Sequence, residues 1–456
     1  MVHGPLAVIL AAGQGTRMRS ATPKVLHRLA GRPLIDHVLA IAATVSDRPP
    51  VVVVGPDHDQ VGAHLGDRAV LGIQPQQLGT GDAVRAVPAE QRTDGPVLVT
   101  YADVPLVRAE TIARMFETHR ATGAACVLLS ARPDRPGDLG RVMRDTTGHV
   151  TRVVEQRDLD PAAADTGEVN AGVYVFTGSA LWPALDKLSA SNAQGEYYLT
   201  DVVELLGGGE AVVLDDPVEA LGINDRRQLA TAEAELRRRT LDALLEAGVT
   251  IEDPATTYVD PGVEIGPDSI LRPMTVLRGR TVLGRGCEIG PMAQLTDVTA
   301  GDRVVVGASV IVGSHLGDDV TIGHFNRVRP GSELGAGVSL GTHAEVKNSR
   351  IGPGSQINHS SCVLDSDVGA GVNIGAGAVT CNFDGLAKHR TTIGDRVFVG
   401  TNATLVAPVT LGDDSYIGAG SFINHDVPPG ELGVGRAQQR NVQGWAERRR
   451  GTVTPA

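Results

Sequence analysis

Leu10-Ala11-Ala12-Gly13-Gln-Gly15-Thr-Arg17-Met18 gathers two glycines, small side chains and a guanidinium into nine residues, and Pro23-Lys24-Val-Leu sets a second cation close behind. Small residues let backbone N–H groups approach a polyphosphate, and a cation beside them offsets its charge. The loop lacks the Lys-Ser/Thr ending of a P-loop and does not match the G-x-G-x-x-G of dinucleotide folds. Taken alone, its glycines serve a tight turn equally well. Far downstream, Arg329, Lys347, His359, Asn373, Asn382 and Lys388 form a second polar set. Three cations suit an anionic, phosphate-bearing molecule, and a histidine suits proton removal from an attacking amine.

Two kinds of element must position these sets. Residues 5–225 alternate apolar strands with helical patterns, the α/β signature. Strands are predicted at Pro5–Leu10, Val51–Val54, Val97–Thr100, Ala125–Leu129 and Val169–Phe176, with a helix over Leu34–Ala43. Asp225–Ala247 carries an apolar stripe (Leu229, Ala232, Leu236, Leu241, Leu244, Leu245) and is predicted to be a long helix ending at Gly248, a connector spanning about residues 226–250. From about Val259 to Val427 the chain then repeats every six residues: an aliphatic opener, commonly Gly next, and a small or β-branched residue four places after the opener. That period is a parallel β-helix, each unit one short strand and a corner, with the opener inside and Gly relieving the corner by its small size or its tolerance of positive φ. Openers fall at 265, 271, 277, 283, 289 and 295 and resume at 316, 322, 328, 334, 340 and 346. Steps of five follow (346 to 351, 363 to 368), and one unit plus seven residues separates Thr380 from Ile393, so 381–388 must leave the coil as a loop. The expected domains are 1–225, the connector, a β-helix over 251–441, and a polar, frayed tail over 442–456.

Composition narrows the function. A net charge of −12 argues against bulk nucleic-acid binding. The four cysteines, none at metal-ligand spacing, suggest a reducing cytosol. The N-terminus shows neither a basic n-region nor a long apolar stretch, so no signal peptide or membrane span is expected.

The loop at 10–18 with Pro23-Lys24 is similar to the sugar-nucleotidyltransferase superfamily. Further matches follow in order: Gln77-Leu-Gly79-Thr80-Gly81, Asp103-Val-Pro-Leu, Gly140-Arg141-Val, Val154-Glu155, Asn170-Ala-Gly172 and Gly222-Ile-Asn224. With the hexapeptide array behind them, nearly the whole chain resembles the family of bifunctional N-acetylglucosamine-1-phosphate uridylyltransferase/glucosamine-1-phosphate acetyltransferases. The resemblance implies a Rossmann-like α/β nucleotidyltransferase domain followed by a left-handed β-helix, a cytoplasmic homotrimer, and Mg²⁺ with UTP and acetyl-CoA as co-substrates. It implies that Leu10, Ala11, Ala12, Gly13, Gly15, Gln74, Gln77, Gly79 and Thr80 hold the nucleotide. Arg17 and Lys24 would stabilise charge during transfer, Asp103 and Asn224 would place Mg²⁺, and Gly140, Glu155, Asn170 and also Tyr198 and Thr200 would read the sugar. In the β-helix it implies His359 as general base. Arg329, Lys347, Asn373 and Lys388 would bind the amino-sugar phosphate, and Ala376, Asn382, Thr401, Ala419 and Arg436 would contact acetyl-CoA. The chain departs from the family pattern where Cys362 replaces a Tyr, Leu364 a Gly, His343 a Phe, His324 a Pro, Ala102 a Gly and Leu139 an aromatic residue. The acceptor-side changes leave three outcomes open: acetylation of glucosamine-1-phosphate, acetylation of another amino-sugar phosphate, or a β-helix that serves only as a trimerisation scaffold.

Overall fold

A run such as Leu6-Ala-Val-Ile-Leu10, apolar at every position, needs cover on both faces, and that is how a central strand of an α/β sheet reads. The computed structural model, which describes residues 4–160 and 166–451, places it so. The chain divides into units of residues 1–236 and 237–456.

In the first unit the strands of the main sheet path are β1 (Leu6–Leu10), β2 (Val51–Val54), β3 (Val70–Ile73), β4 (Pro96–Tyr101), β5 (Cys126–Ala131), β8 (Val169–Thr177) and β9 (Glu210–Val213). Their order is β9-β5-β8-β4-β1-β2-β3, and the hairpin of β6 (Arg141–Arg144) and β7 (Val150–Val154) joins at β8. β1 runs parallel to β2 and β4, whereas β8 is antiparallel to β4 and β5, so the sheet is mixed. Alternate residues of β1 feed two cores: Ala7 and Ile9 on one face, Leu6, Val8 and Leu10 on the other. The Leu34–Val45 helix covers the first face through Ile35, Val38 and Ala42.

In the second unit the six-residue units become short strands on three parallel sheets of eleven, ten and nine strands, the faces of a left-handed β-helix. Leu271 stacks on Ile289 and Leu277 on Leu295, a pitch of 18 residues, and both upper and lower openers are fully buried. The small residue four places after an opener, such as Ser269, Ser355 or Ser361, turns inward, and its hydroxyl donates to a carbonyl of the next coil. The corner glycine is needed for space rather than for φ. A Cβ on Gly352 would lie 2.4 Å from Gly369, whereas positive φ falls two residues after such glycines and is carried by Asp268, Asp319 and His343.

Openers the sequence left unassigned between 296 and 315 are Ala300, Val306 and Ile311. The steps from 295 to 300 and from 306 to 311 to 316 are five residues long, which broke the six-residue frame. Val368 pairs with Ile393 across 25 residues, and Ile393 with Leu411 across 18, so the insertion adds seven. The Arg226–Glu246 helix gives Ala232 to a cluster with Leu29, Leu34, Leu106 and Ile223 of the first unit. Its Leu241 and Leu244 cap the aliphatic core of the second. The tail expected to fray forms an exposed helix at Trp445–Gly451, and residues 452–456 lie outside the described residues.

Candidate functional site

The loop after β1 is pinned at both ends. Ala11 N–H donates to Val53 (2.7 Å), Ala102 N–H to Leu10 (3.0 Å), and Arg226 Nε to the Met18 carbonyl (3.2 Å). Gly15 sits at φ 61°, and a Cβ there would lie 2.6 Å from Lys24 Cβ, so this turn excludes any side chain. Lys24 therefore packs against the loop. Its ammonium donates to the Asp103 carboxylate and to Asn224 Oδ1 (3.2 Å), all three residues standing beyond the carboxyl ends of β1 and β4.

A cavity of about 290 Å³ is bounded by Leu10, Ala11, Ala12, Gly13, Lys24, Gln74, Gln77, Gly79, Thr80 and Asp103. Gln74 is buried and donates to Gly79 O (3.1 Å) and to Asp82 (2.8 Å), which leaves its amide oxygen for a ligand. Gln77 donates to the Ala12 carbonyl. A second cavity, about 270 Å³, shares Thr80, Tyr101 and Asp103 and adds Gly140, Glu155, Asn170, Tyr198 and Asn224. Glu155 accepts from the Thr200 hydroxyl (3.1 Å). Burial, with Asp201, Asp158 and Glu196 nearby, pushes its carboxyl above the usual range despite that bond. Asn170 is partly spent on the scaffold, donating to the Tyr174 hydroxyl (2.7 Å) and accepting from Gly172 N–H (3.1 Å). Leu139 stands half exposed on the rim. Arg17 is exposed on the turn at Thr16–Met18 and lines neither cavity.

In the second unit one corner column holds Thr342, His359, Ala376, Thr401 and Ala419, each two residues past an opener. Corner Asp residues at this position, such as Asp302 and Asp395, accept the backbone N–H of the coil before. His359 takes the same part, with Nδ1 lying 3.2 Å from Thr342 N and 3.0 Å from Thr342 Oγ1. Arg436 donates to the Ala419 carbonyl (2.7 Å). Arg329 and Lys347 lie one coil apart at the other end of the ten-strand face, and Arg329 pairs with Glu345 at 3.0 Å. Between the two ends runs the Cys362–Leu364 strand. Burial and the Glu345 carboxylate raise the Cys362 thiol, which keeps it protonated and speaks against a thiolate nucleophile. Asn373 lies on the eleven-strand face and accepts from Asn358 (3.0 Å).

The residue that sequence reasoning missed is Asp365. Buried at the corner beside Lys347, it accepts from Lys347 Nζ (3.3 Å), Asn348 Nδ2 (2.5 Å) and Asn382 Nδ2. Asn382, assigned to the cofactor from sequence, is thus tied to the lysine expected at the acceptor. Lys347 and Asn382 lie 18 and 17 residues from Asp365, one coil to either side, so the coil pitch was the signal that could have found it. The loop that follows is braced from within: Asp384 accepts from Leu386 N (2.8 Å), Ala387 N (2.7 Å) and His389 Nε2 (2.7 Å), leaving Phe383 and Leu386 exposed at its tip. A further signal is compositional. Lysine occurs four times in the chain, and Lys24, Lys347 and Lys388 are three of the four.

Residues 7–205 match the MobA-like NTP transferase domain, 390–425 the bacterial transferase hexapeptide (six repeats), and 298–323 the hexapeptide repeat of succinyl-transferase. The chain is 46% identical to the bifunctional protein GlmU of Mycolicibacterium gilvum, over 97% of this chain and 92% of that one. It is 45% identical to the Mycobacterium tuberculosis protein of that name over the same shares, and 45% identical to that of Heliobacterium modesticaldum over 98% and 99%.

Proposed function

The chain belongs to the family of the bifunctional protein GlmU, and from that premise we propose how its two sites divide the work. The enzyme makes UDP-N-acetylglucosamine by acetyl transfer and uridylyl transfer, with an NTP-transferase domain and a hexapeptide-repeat domain. The observation that carries the assignment of the first site is the convergence of Lys24, Asp103 and Asn224 beside the glycine loop.

In the first site a phosphate oxygen of N-acetylglucosamine-1-phosphate attacks the α-phosphorus of UTP, and the bond to pyrophosphate breaks. Ala11 to Gly13 would present backbone N–H groups to the phosphates, and Gln74 and Gln77 would hold the base. Lys24, which lines the first cavity and contacts Asp103, a residue both cavities share, would neutralise the α-phosphate, while the exposed Arg17 would take the departing pyrophosphate. Asp103 and Asn224 fit a hard divalent cation: their oxygens already converge on one cationic centre, the Lys24 ammonium. Among the described residues no group of three or more His, Cys, Asp or Glu side chains could hold a metal ion. Asp103 and Asn224 would hold Mg²⁺, whose charge would offset the negative charge that develops during transfer. Glu155 would accept from sugar hydroxyls, with Asn170 and Gly140 shaping the pocket.

In the second site the hexosamine phosphate would lie across the ten-strand face. Its phosphate would meet Arg329, Lys347 and Lys388, and its amine would meet His359 at the far end of the Cys362–Leu364 strand. The amine would attack the thioester carbonyl of acetyl-CoA while His359 takes its proton, and the C–S bond would break to release CoA as the amide forms. Ala376, Thr401, Ala419 and Arg436, in the corner column continuing past His359, would carry the cofactor. Asn373, on another face, would reach an acceptor held by a neighbouring copy, and the exposed loop tip at Phe383 and Leu386 would cover a neighbour's cleft. Both support a homotrimer, checked as a light-scattering mass near three chains. The free thiols of Cys126, Cys287, Cys362 and Cys381 suit the cytoplasm. Among the described residues no helix is long and apolar enough to cross a membrane.

Mass spectrometry of one mixture tests the whole reading: protein, glucosamine-1-phosphate, acetyl-CoA, UTP and Mg²⁺. UDP-N-acetylglucosamine is expected. Product formed only from preformed N-acetylglucosamine-1-phosphate would move the second site to another amino-sugar phosphate, and no product from either would overturn the reading.

A further inference from the structure

Asp365 lies at φ 48°, a left-handed conformation that a short polar side chain tolerates and most side chains do not. Its contacts span three successive coils. The carboxylate takes Lys347 and Asn348 from the coil before and Asn382 from the coil after. Its backbone N–H donates to the Lys347 carbonyl (2.9 Å), and its own carbonyl accepts from Thr391 N–H (3.3 Å). Asn382 opens the seven-residue insertion and Thr391 follows it, so one residue ties down both ends of the loop that carries Lys388. Arg390, just before Thr391, pairs in bidentate fashion with Asp367 (2.7 and 2.8 Å) and fixes the same exit.

The electrostatics show why an anion is needed there. The Lys347 ammonium lies against Lys388 and depresses it, and Arg329 adds to that effect, while Asp365 opposes it. Hydrogen bonds from Asn348, Asn382 and Lys347 hold the Asp365 carboxyl below its ordinary range in spite of burial, so it is charged throughout the physiological range. The other charges around it are Arg390, balanced by Asp367, and Glu345, engaged by Arg329.

We propose that Asp365 is a positioning residue of the acetyl-transfer site. It aims Lys347 and Asn382, fixes the loop bearing Lys388, and lets two ammonium groups wait side by side for the acceptor's phosphate. Resting on the acetyl-transfer reading above, this gives the site a built-in counter-anion, a carboxylate that the incoming phosphate relieves of its lysines.

The test is D365N, nearly isosteric and neutral, read in two ways. The first is steady-state acetyl transfer. KM for glucosamine-1-phosphate is expected to rise by about tenfold or more, because lysines no longer aimed bind the phosphate poorly. Uridylyl transfer by the same protein should stay at the wild-type rate. The second reading needs no turnover. With only four lysines, reductive ¹³C-methylation gives few NMR signals, and Lys388 is expected to titrate at lower pH in D365N than in wild type. Adding glucosamine-1-phosphate to the wild type should raise it. A residue that merely supports the fold would lower kcat or melting temperature and leave the Lys388 titration where it was, which overturns the proposal. Loss of a cooperative melt of the β-helix in both D365N and D365S would overturn it too, by making Asp365 a folding residue. Should wild-type protein fail to acetylate glucosamine-1-phosphate, the functional reading falls, while the Lys388 titration still decides the role of Asp365.

Discussion

On the proposed reading, His359 and Glu155 would each carry both a structural duty and a chemical one. With its proton on Nε2, neutral His359 accepts from Thr342 N–H as the corner aspartates do, and it has no free lone pair for catalysis. With its proton on Nδ1, donated to Thr342 Oγ1, it leaves Nε2 basic. Thr342 N–H can only donate to Nδ1, so the productive tautomer gives up that bond and depends on the Thr342 hydroxyl to accept the Nδ1 proton instead. T342V should lower kcat of acetyl transfer by about tenfold, and H359A by about a hundredfold or more. Both should leave uridylyl transfer unchanged, as paired assays would show, and acetyl transfer unaffected by H359A would remove it as the base. Glu155 illustrates a cost. Its folded-state carboxyl is raised, chiefly by burial, so its contribution to stability is greatest below the unfolded value and is lost as pH rises through the folded one. At pH 7.5 it is a net burden. E155Q should raise the melting temperature of the first unit by about 2 °C while weakening use of N-acetylglucosamine-1-phosphate. A melting temperature that falls would show the hydrogen bond from Thr200 to outweigh the burial.

At the scale of elements, the insertion after Thr380 separates folding from function. Seven residues added to an 18-residue pitch make the 25-residue step from Val368 to Ile393, and the openers on either side remain paired. Deleting residues 382–388 should restore the ordinary pitch. The β-helix is expected to keep a cooperative melt while acetyl transfer disappears; an unfolded β-helix would make the loop part of the scaffold. Periodicity exposed this loop, and the same reasoning gave β1, β2, β4, β5 and β8 nearly to their ends. It failed where the pattern is locally weak. β3 carries Gly72, whose Cβ would lie 2.8 Å from Ala86 O, so close packing excluded the β-branched residue that would have marked a strand. Within the β-helix, Ala300 is a poor opener and stands at the first five-residue step. The candidate site is legible where a run of residues lines it, as Leu10 to Gly13 line the first cavity. Asp365 was not, because its partners meet only when successive coils stack.

Across the whole molecule, the two units answer pH through different groups. In the β-helix the shifted carboxyl groups, Asp319, Asp365, Asp367, Asp384 and Asp414, all lie below their ordinary range, held there chiefly by hydrogen bonds from Arg303, the Asp365 cluster, Arg390, the loop backbone and Arg396. A depressed folded-state value contributes stability that is present above the unfolded pKa, about 3.9 for Asp, and is lost as pH falls through the folded value. The β-helix should therefore hold its stability from pH 7 to about 4 and lose it below. The first unit is mixed: hydrogen bonds hold Asp145 and, despite burial, Glu168 below their ordinary range too, but other groups there respond differently. Burial depresses its His27, His37 and His119, and each of these sheds stability as pH falls below about 6.5. Glu155 and Asp201, raised by burial, push the other way. Hydrogen exchange followed by mass spectrometry, which resolves the units by segment, should show protection in residues 259–427 unchanged between pH 7 and 5 while protection in the first unit shifts. A β-helix that loosened in that interval would show that groups other than its depressed carboxylates set its stability, and the assignment of its pH response to them would fall.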